Sequence, residues 1–559
     1  MSNLKQRLEK VLKGEVDDSE SAISAASRDT SLFARTPEMV VFPKDEEDVS
    51  VLVKEIATLK AEGENVSVTG RSAGTDMSGG PLTTGIVASF TKHMNQVIEV
   101  HSVEGGGGYA ITEPGVYYRD FEKETLKKNL LLPSYPASRE IAAMGGIVAN
   151  NSGGERTLDY GKTEDYLEEV ECVLSDGSVA NFKALSPSEL AMKQSKNDLE
   201  GEIYRKMDEL LTKNAKLITD KKPKVSKNSA GYDLWNIRDE EKKTFNLAKL
   251  ICGSQGTLAL WTRAKLSLVT PKEHRAMLVI FLSDLTILPE IVNRVLTHHP
   301  ESFESYDDHT FTLAVKFLPT MLSQMGFAKA ARLGVSFIPE AAMVATGGVP
   351  KLILMAEFAE DTIEEADRKA LAAQEALADL KLQTKIEKNE QESEKYWIVR
   401  RESFSLLRKN LHGMYASPFI DDFVVPPSSY PEFLPKLYAL LAEYKNNFIY
   451  TIAGHIGNGN FHIIPLMDLA KPESKKTILE LAPKVYDLVI SYGGTTTGEH
   501  NDGIIRTPYL TQLFGDEMVG LFAETKKIFD PQNIFNPGKK VGGTFADIER
   551  DMLTSGDGS

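Results

Sequence analysis

Apolar residues fall into two textures along the chain. Up to about residue 270, short apolar runs alternate with glycine-rich and polar stretches. Met39-Val40-Val41-Phe42 reads as a strand stopped by Pro43. Asp45-Glu46-Glu47 then opens an amphipathic helix, its acidic first turn suiting the helix dipole. Val66-Ser67-Val68 reads as a further strand, and Gly105 to Gly108 as a hairpin tip between two strand-like runs. Met144 to Gly154 holds too many glycines and small polar residues for a packed helix; it suits a chain that a flat ligand approaches closely. Gly253-Ser254-Gln255-Gly256-Thr257-Leu258 joins a strand to the apolar run after it. The lysine-rich segment Lys206 to Lys227 predicts a solvated face. From about 275, strand-like runs (Ala276–Leu282, Leu352–Phe358, Phe448–Ile452) alternate with a long helical pattern over Asp361–Leu380. That is the texture of an α+β domain with a β-α-β-type sheet, and places a boundary near Pro271. Asp530 to Lys539 is a turn-rich closing segment, and the last dozen residues predict a frayed end.

Bulk composition narrows the function classes. A chain of 559 residues is too long for one core and predicts two to four domains. The net charge of −16 excludes a general nucleic-acid binder, which needs a basic face. Cys172 and Cys252 are the two cysteines, and neither sits in a CxxC, so no iron–sulfur cluster or disulfide framework is expected. A reducing compartment fits, and the cytoplasm is the expected location. No run approaches the roughly 18 apolar residues of a membrane span, and the N-terminal twenty residues form a polar amphipathic helix candidate rather than a signal peptide. Peripheral association with the inner face of the membrane stays open.

The chemistry concentrates near the C-terminal end, in Gly454-His455-Ile456-Gly457-Asn458-Gly459-Asn460-Phe461-His462 and Gly498-Glu499-His500. Glycines allow turns that fold His455 and His462 back toward one point. Two neutral imidazoles and the carboxylate of Glu499 make the ligand set of an open catalytic divalent-metal site. His500, beside that carboxylate, is placed to act as a base. Spacing alone names no reaction, and a metal-dependent hydrolase would use the same set with His500 activating water. Upstream, Gly70-Arg71-Ser72-Ala73-Gly74-Thr75-Asp76-Met77-Ser78-Gly79-Gly80 is rich in free backbone N–H groups of the kind that hold phosphates. It is neither a GxGxxG fingerprint nor a P-loop, and a surface loop reads equally well.

Taken together, these blocks resemble the flavin-linked D-2-hydroxy-acid dehydrogenases of the vanillyl-alcohol-oxidase superfamily, the group of D-lactate dehydrogenases and glycolate oxidase catalytic subunits. The resemblance runs from about residue 38 to 541. Its carriers are the Gly70–Gly80 loop, Met144–Gly154 with Tyr160-Gly161, Gly253–Leu258, and the GHIGNGNFH, GEH and NPGK motifs. It implies an α+β fold: a two-subdomain PCMH-type FAD-binding domain over 38–271, and an α+β cap domain with an antiparallel sheet over 272–524. A helical arm over 1–37 would precede them, and 525–559 would return to the FAD domain.

The resemblance also implies site residues. FAD would contact Arg71, Ser72, Ala73, Gly74, Thr75, Asp76, Ser78 and Gly79, then Ser138, Gly145, Gly146, Asn150, Asn151, Ser152, Gly154, Tyr160 and Gly256. Many relatives attach FAD through a histidine in the first loop; none occurs between Gly70 and Gly80, so non-covalent FAD is expected. His455, His462 and Glu499 would hold zinc or manganese, His500 would take the substrate's hydroxyl proton, and Arg400 would clamp a carboxylate. An exposed ion-paired turn at Arg400-Arg401-Glu402 is the plainer alternative. The hydride on C2 would pass to flavin N5.

Departures from the family pattern bear on the substrate. Asn501-Asp502-Gly503 follows the GEH motif and adds an acid near the centre, and Ile463-Ile464-Pro465 follows His462. Phe404 and Ile420 stand where 2-hydroxyglutarate enzymes place a substrate-binding threonine and lysine. A D-lactate-like monocarboxylate is therefore the expected substrate. Electrons would leave to a quinone, a cytochrome, an electron-transfer protein or oxygen. A homodimer is compatible with the sequence, as is a non-catalytic flavoprotein subunit of a redox complex.

Overall fold

The computed structural model describes residues 3–308, 310–312, 348–410 and 413–553, without the side chains of residues 3, 390 and 402–410. Three sheets organise them. The first has four strands in the order Glu15–Asp17, Met39–Phe42, Ile86–Ser89, Val68–Arg71. Its last three strands pair in parallel. The helix Glu46–Ala61 connects two of them, as the acidic first turn predicts, and Asp45 caps it by accepting from Asp48 N at 2.9 Å. The strand predicted over Val66–Val68 runs instead over Val68–Arg71.

The second sheet has seven strands with antiparallel pairing throughout. Its first hairpin turns at Gly105–Gly107, whose φ values of 98°, 106° and 73° only glycine adopts without strain. The closing segment returns to the first sheet: Phe535 bridges Val68 in parallel, and Val68 N donates to Ile534 O at 2.8 Å. The helix Phe545–Asp551 follows, so the predicted frayed end is ordered through residue 553. Residues 554–559 lie outside the described residues.

The third sheet has eight strands, and all its described pairs are antiparallel, so the β-α-β pattern expected from the sequence gives way to hairpins and long returns. The run His274–Leu282 is buried along nearly its whole length because both faces are covered. One face packs Leu278, Ile280, Leu354, Phe303 and Ile463 into the large cap core. The other carries Val279, Met355, Tyr306 and Ala453, covered by Tyr396, Trp397 and Val399 of the helix Glu390–Asn410. Strand register places Glu304, His455 and His462 on this second face, because Tyr306 pairs with Ala453 and Ala453 with His462. Among the described residues no helix is long and apolar enough to cross a membrane.

Two further sequence expectations about local structure are overturned. Met144–Asn150 is a helix despite its glycines. Tertiary contact requires the first of them: a Cβ on Gly145 would lie 2.0 Å from Ser72 Oγ and 2.8 Å from Pro114 O. The block 253–258 follows a short helix, Ala248–Ile251, rather than a strand.

Candidate active site

The two histidine-bearing strands, Ile449–His455 and Asn460–Met467, form a hairpin closed by a single turn of 3-10 helix. Gly459 sits at φ 73°, and a Cβ there would fall 1.9 Å from Val425 O, so the tight return depends on glycine. His455 and His462 rings lie 5.1 Å apart at right angles. His500 stacks on His462 at 5.1 Å. The segment bearing Glu499 and His500 is held by Asp422, whose Oδ2 accepts from Glu499 N at 3.0 Å and His500 N at 2.7 Å.

All three imidazoles turn Nε2 toward one oxygen. Glu499 Oε1 lies 3.2 Å from His455 Nε2, 3.5 Å from His462 Nε2 and 3.8 Å from His500 Nε2. Each Nδ1 meets a buried carboxylate behind it. His455 Nδ1 is 2.5 Å from Glu304 Oε1, His462 Nδ1 is 3.2 Å from Asp421 Oδ1, and His500 Nδ1 is 2.7 Å from Asp421 Oδ2. Those contacts orient each ring, and with a metal bound they would keep the proton on Nδ1 and leave on Nε2 the lone pair that a ligand or a base needs. Asp422 also brings an oxygen to within 4.8 Å of ligand atoms of His462, Glu499 and His500. Its carboxylate is already engaged by Thr497, Glu499, His500 and Asn460, so His455 is the stronger third donor.

The electrostatics match an ion site. Burial pushes Asp421 and Glu499 up. The histidine charges outweigh this at Asp421, and Lys227 and His455 at Glu499, so both carboxyls sit far below their ordinary range. Burial pulls His462 down, yet the hydrogen bond to Asp421 and the charge of Glu499 push it up to about 10. His500 is also raised, by Asp422 and Asp421 against burial. His462 thus holds a proton where a dication would otherwise neutralise the carboxylates. Two imidazoles and one buried carboxylate, each oriented from behind, fit a divalent metal.

Arg400 lies within the helix Glu390–Asn410, not on an exposed turn. Its Nε is 3.2 Å from Glu304 Oε2, so one buried carboxylate joins the guanidinium to His455. The added acid, Asp502, is fully buried and paired with Lys540 at 3.0 Å, which spends its charge away from the imidazoles. Asn501, at φ 69°, donates to Gly253 O at 2.9 Å and Asn150 O at 3.3 Å. Asn501 therefore ties the centre to the glycine-rich segments, and Asp502 ties it to Lys540 and Gly231. Ile464 shares the sheet face of His462, Ile420 is buried in the cap core, and the Phe404 side chain lies outside the described residues.

The glycine-rich blocks, distant in sequence, meet in one place. Asn150 Nδ2 donates to Asp76 Oδ1 at 3.2 Å, and Gln255 Nε2 to Asn150 Oδ1 at 3.2 Å and Ser78 Oγ at 3.1 Å. Gly503 N donates to Gln255 Oε1 at 2.8 Å. The first loop is less free than the sequence implies, because Asp76 already accepts from Ser78 N and Gly80 N. Arg71 turns to the carbonyls of Ala25, Ala26 and Arg28, and Ser72 Oγ donates to Pro114 O. Thr75 O accepts from Thr30, while Gly74 and Gly79 take positive φ. Ser138 O closes a turn with Ile141 and Ala142, and Tyr160 packs against the core of the seven-stranded sheet. Asn151 takes a left-handed φ of 51°, and Ser152 O accepts from Thr163. Gly146 and Gly256 face open space, since a Cβ on either meets nothing within 4 Å. Gly153, one residue before Gly154, would place a Cβ 3.2 Å from Glu499 Oε2, so the glycine segment abuts the histidine centre. The open backbone at Gly146 and Gly256 fits a flat cofactor. Gly154→Ala would set a Cβ 2.3 Å from Tyr135 O. It is expected to cost about 1–3 kcal/mol of overpacking, read as a lower urea midpoint and a lower ratio of bound flavin to protein.

Sequence reasoning missed Glu304, Asp421, Asp422 and Lys227. The adjacent acids Asp421-Asp422, set inside the apolar run Phe419 to Val425, were a readable signal of buried polar work. Glu304 carried none. Lys227 was assigned to a solvated face, and is buried against Glu499.

Comparison with known proteins finds matches for both parts of the chain. Residues 37–183 match the family described as FAD binding domain, and residues 271–540 the C-terminal domain of FAD linked oxidases. The chain is 26% identical to D-2-hydroxyglutarate dehydrogenase of Pseudomonas putida over 94% of its own length and 50% of the relative's. It thus spans about half the length of the first curated relatives it matches. It is 27% identical to D-lactate dehydrogenase of Archaeoglobus fulgidus, covering 90% of this chain and 91% of that one. In fold it resembles 4-ethylphenol oxidase from Gulosibacter chungangensis, with a TM-score of 0.67 at 15% identity, covering 97% of each chain. With an FAD-binding domain and an FAD-oxidase C-terminal domain in one chain, the protein belongs to the FAD-linked oxidases and dehydrogenases of the PCMH-type FAD-binding superfamily.

Proposed function

We propose that this chain catalyses FAD-dependent oxidation of a D-2-hydroxy acid to the 2-oxo acid, with the substrate anchored on a divalent metal. The observation that carries this reading is the convergence of three imidazole Nε2 atoms on Glu499 Oε1, beside Gly153 of the glycine segment. When bound, the flavin supplies a hydride acceptor and the metal a Lewis acid for the substrate's carboxylate and hydroxyl oxygens. His455, His462 and Glu499 hold that metal. Arg400 orients the carboxylate through its guanidinium, itself braced by Glu304. His500 Nε2 receives the hydroxyl proton, while Asp421 retains the proton on Nδ1. The C2–H bond gives up its hydrogen with the electron pair, and the hydroxyl oxygen becomes the carbonyl.

The relatives named above act on both a dicarboxylic and a monocarboxylic acid. Ile464, on the sheet face of His462, favours a substrate without a second carboxylate, such as D-lactate. Two cysteines are too few for a four-thiolate cluster, so the electrons pass to a quinone, cytochrome, electron-transfer protein or oxygen.

The test is anaerobic mixing of the oxidised, metal-loaded protein with glycolate and with paired enantiomers of lactate and 2-hydroxyglutarate. D-Lactate is expected to bleach the flavin within seconds, its enantiomer not at all, and D-2-hydroxyglutarate at least about tenfold more slowly, the scale set by one unpaired charged contact. Faster bleaching by D-2-hydroxyglutarate would sink the monocarboxylate assignment. No bleaching by any acid would leave the chain a non-catalytic flavoprotein.

A further inference from the structure

Residues 226–231 form a strap from the FAD-binding half onto the histidine centre. Ser226 Oγ donates to Asn458 O at 2.7 Å, and Thr495 Oγ1 donates to Asn228 Oδ1 at 2.6 Å. Ser229 N donates to Thr497 O at 3.0 Å, and its hydroxyl to Gly498 O at 2.9 Å. Gly231 N reaches Asp502 Oδ2 at 2.8 Å. Between these anchors the Lys227 side chain is 0% exposed, and its Nζ lies 3.0 Å from Glu499 Oε2. The two oxygens of Glu499 thus have different surroundings. Oε1 faces three imidazoles, whereas Oε2 is enclosed by the ammonium and by Gly153.

We propose that Lys227 is a positioning residue that keeps Glu499 a one-oxygen donor to the metal, so that coordination positions stay open for the substrate. The assignment rests on the metal-dependent oxidation proposed above. A carboxylate with both oxygens free can chelate a divalent cation through two of them. An ammonium bonded to one oxygen withholds it and draws charge from the other, leaving the metal a stronger Lewis acid. The same ammonium repels the dication, so it weakens metal binding while favouring the reaction. A purely structural lysine would do the reverse, since a lost brace loosens the ligand.

The test loads the full-length flavoprotein with Mn2+ and measures two quantities without any substrate. One is the metal dissociation constant by chelator competition; the other is the number of exchangeable waters on bound Mn2+ by water-proton relaxation. Lys227→Met is expected to tighten metal binding about tenfold and to lower the water number. Flavin reduction by D-lactate should slow about 10- to 100-fold. Lys227→Arg should restore all three. Lys227→Gln keeps an N–H for Oε2 without the charge, and serves if the methionine variant does not fold. It should tighten the metal while keeping the waters. Weaker or unchanged metal binding in Lys227→Met, or in Lys227→Gln where it stands in, with an unaltered water number would overturn the assignment and leave the metal reading intact. A parent protein that takes up no divalent metal overturns both.

Discussion

Replacing His500 by alanine is expected to slow anaerobic flavin reduction by a D-2-hydroxy acid about 10²- to 10⁴-fold, the usual worth of a positioned general base. Bound flavin should remain at the parent level. The separation follows from how the residue is held. The backbone N–H of His500 rests on Asp422 Oδ2, an interaction alanine preserves. The links between the centre and the glycine segments run through Asn501, Gly503 and Gln255 rather than through the imidazole. What is lost is Nε2, which Asp421 prepares by holding Nδ1 at 2.7 Å. Stopped-flow absorbance at the flavin band measures the rate, and acid-released flavin measures occupancy. Reduction at the parent rate would remove His500 from the role of base. Loss of flavin together with rate would make the imidazole part of the cofactor's support instead.

Metal affinity is expected to rise steeply with pH. His462 without metal is raised to about 10, so below that pH its imidazole carries a proton that a metal must displace. Above about pH 10 the proton is gone and the slope vanishes. Glu499 is held ionised well below its ordinary range and contributes no slope near neutrality. One displaced proton means about a tenfold gain in affinity per pH unit, or about a hundredfold from pH 6 to pH 8. Chelator competition at several pH values checks this, and a flat profile would contradict it. Asp421→Asn should flatten the profile, because the carboxylate that holds the proton on His462 is lost. His455→Ala should weaken the metal more than about 100-fold at any of these pH values, more than an outer-shell change would.

Much of this site was legible before any fold was known. The spacing of His455, His462, Glu499 and His500 was enough to suggest a metal and a base, because glycine turns bring such residues together whatever surrounds them. The glycine-rich blocks were readable as candidates for close backbone approach, and the structure brings them together. Arg400 was readable only as a choice between a clamp and an exposed turn, and its place in a helix against Glu304 decides for a buried role. The helix at Met144–Asn150 went the other way. Propensity argued against it, and close packing of Gly145 on Ser72 and Pro114 overrode propensity.

The sequence by itself determined element types over long periodic stretches, the absence of cluster-forming cysteines, and which residue types could do redox and metal chemistry. Those follow from local backbone preference and from side-chain identity, which need no partner. Only the tertiary structure decided which carboxylate stands behind which imidazole. Glu304 is 151 residues from His455, Asp421 is 79 from His500, and Lys227 is 272 from Glu499. No periodicity links such positions, because pairing across sheet strands and a crossing strap depends on register set by the whole cap. A lysine in a charged run looks solvated until the fold buries it against a carboxylate, where desolvation leaves it no other stable place.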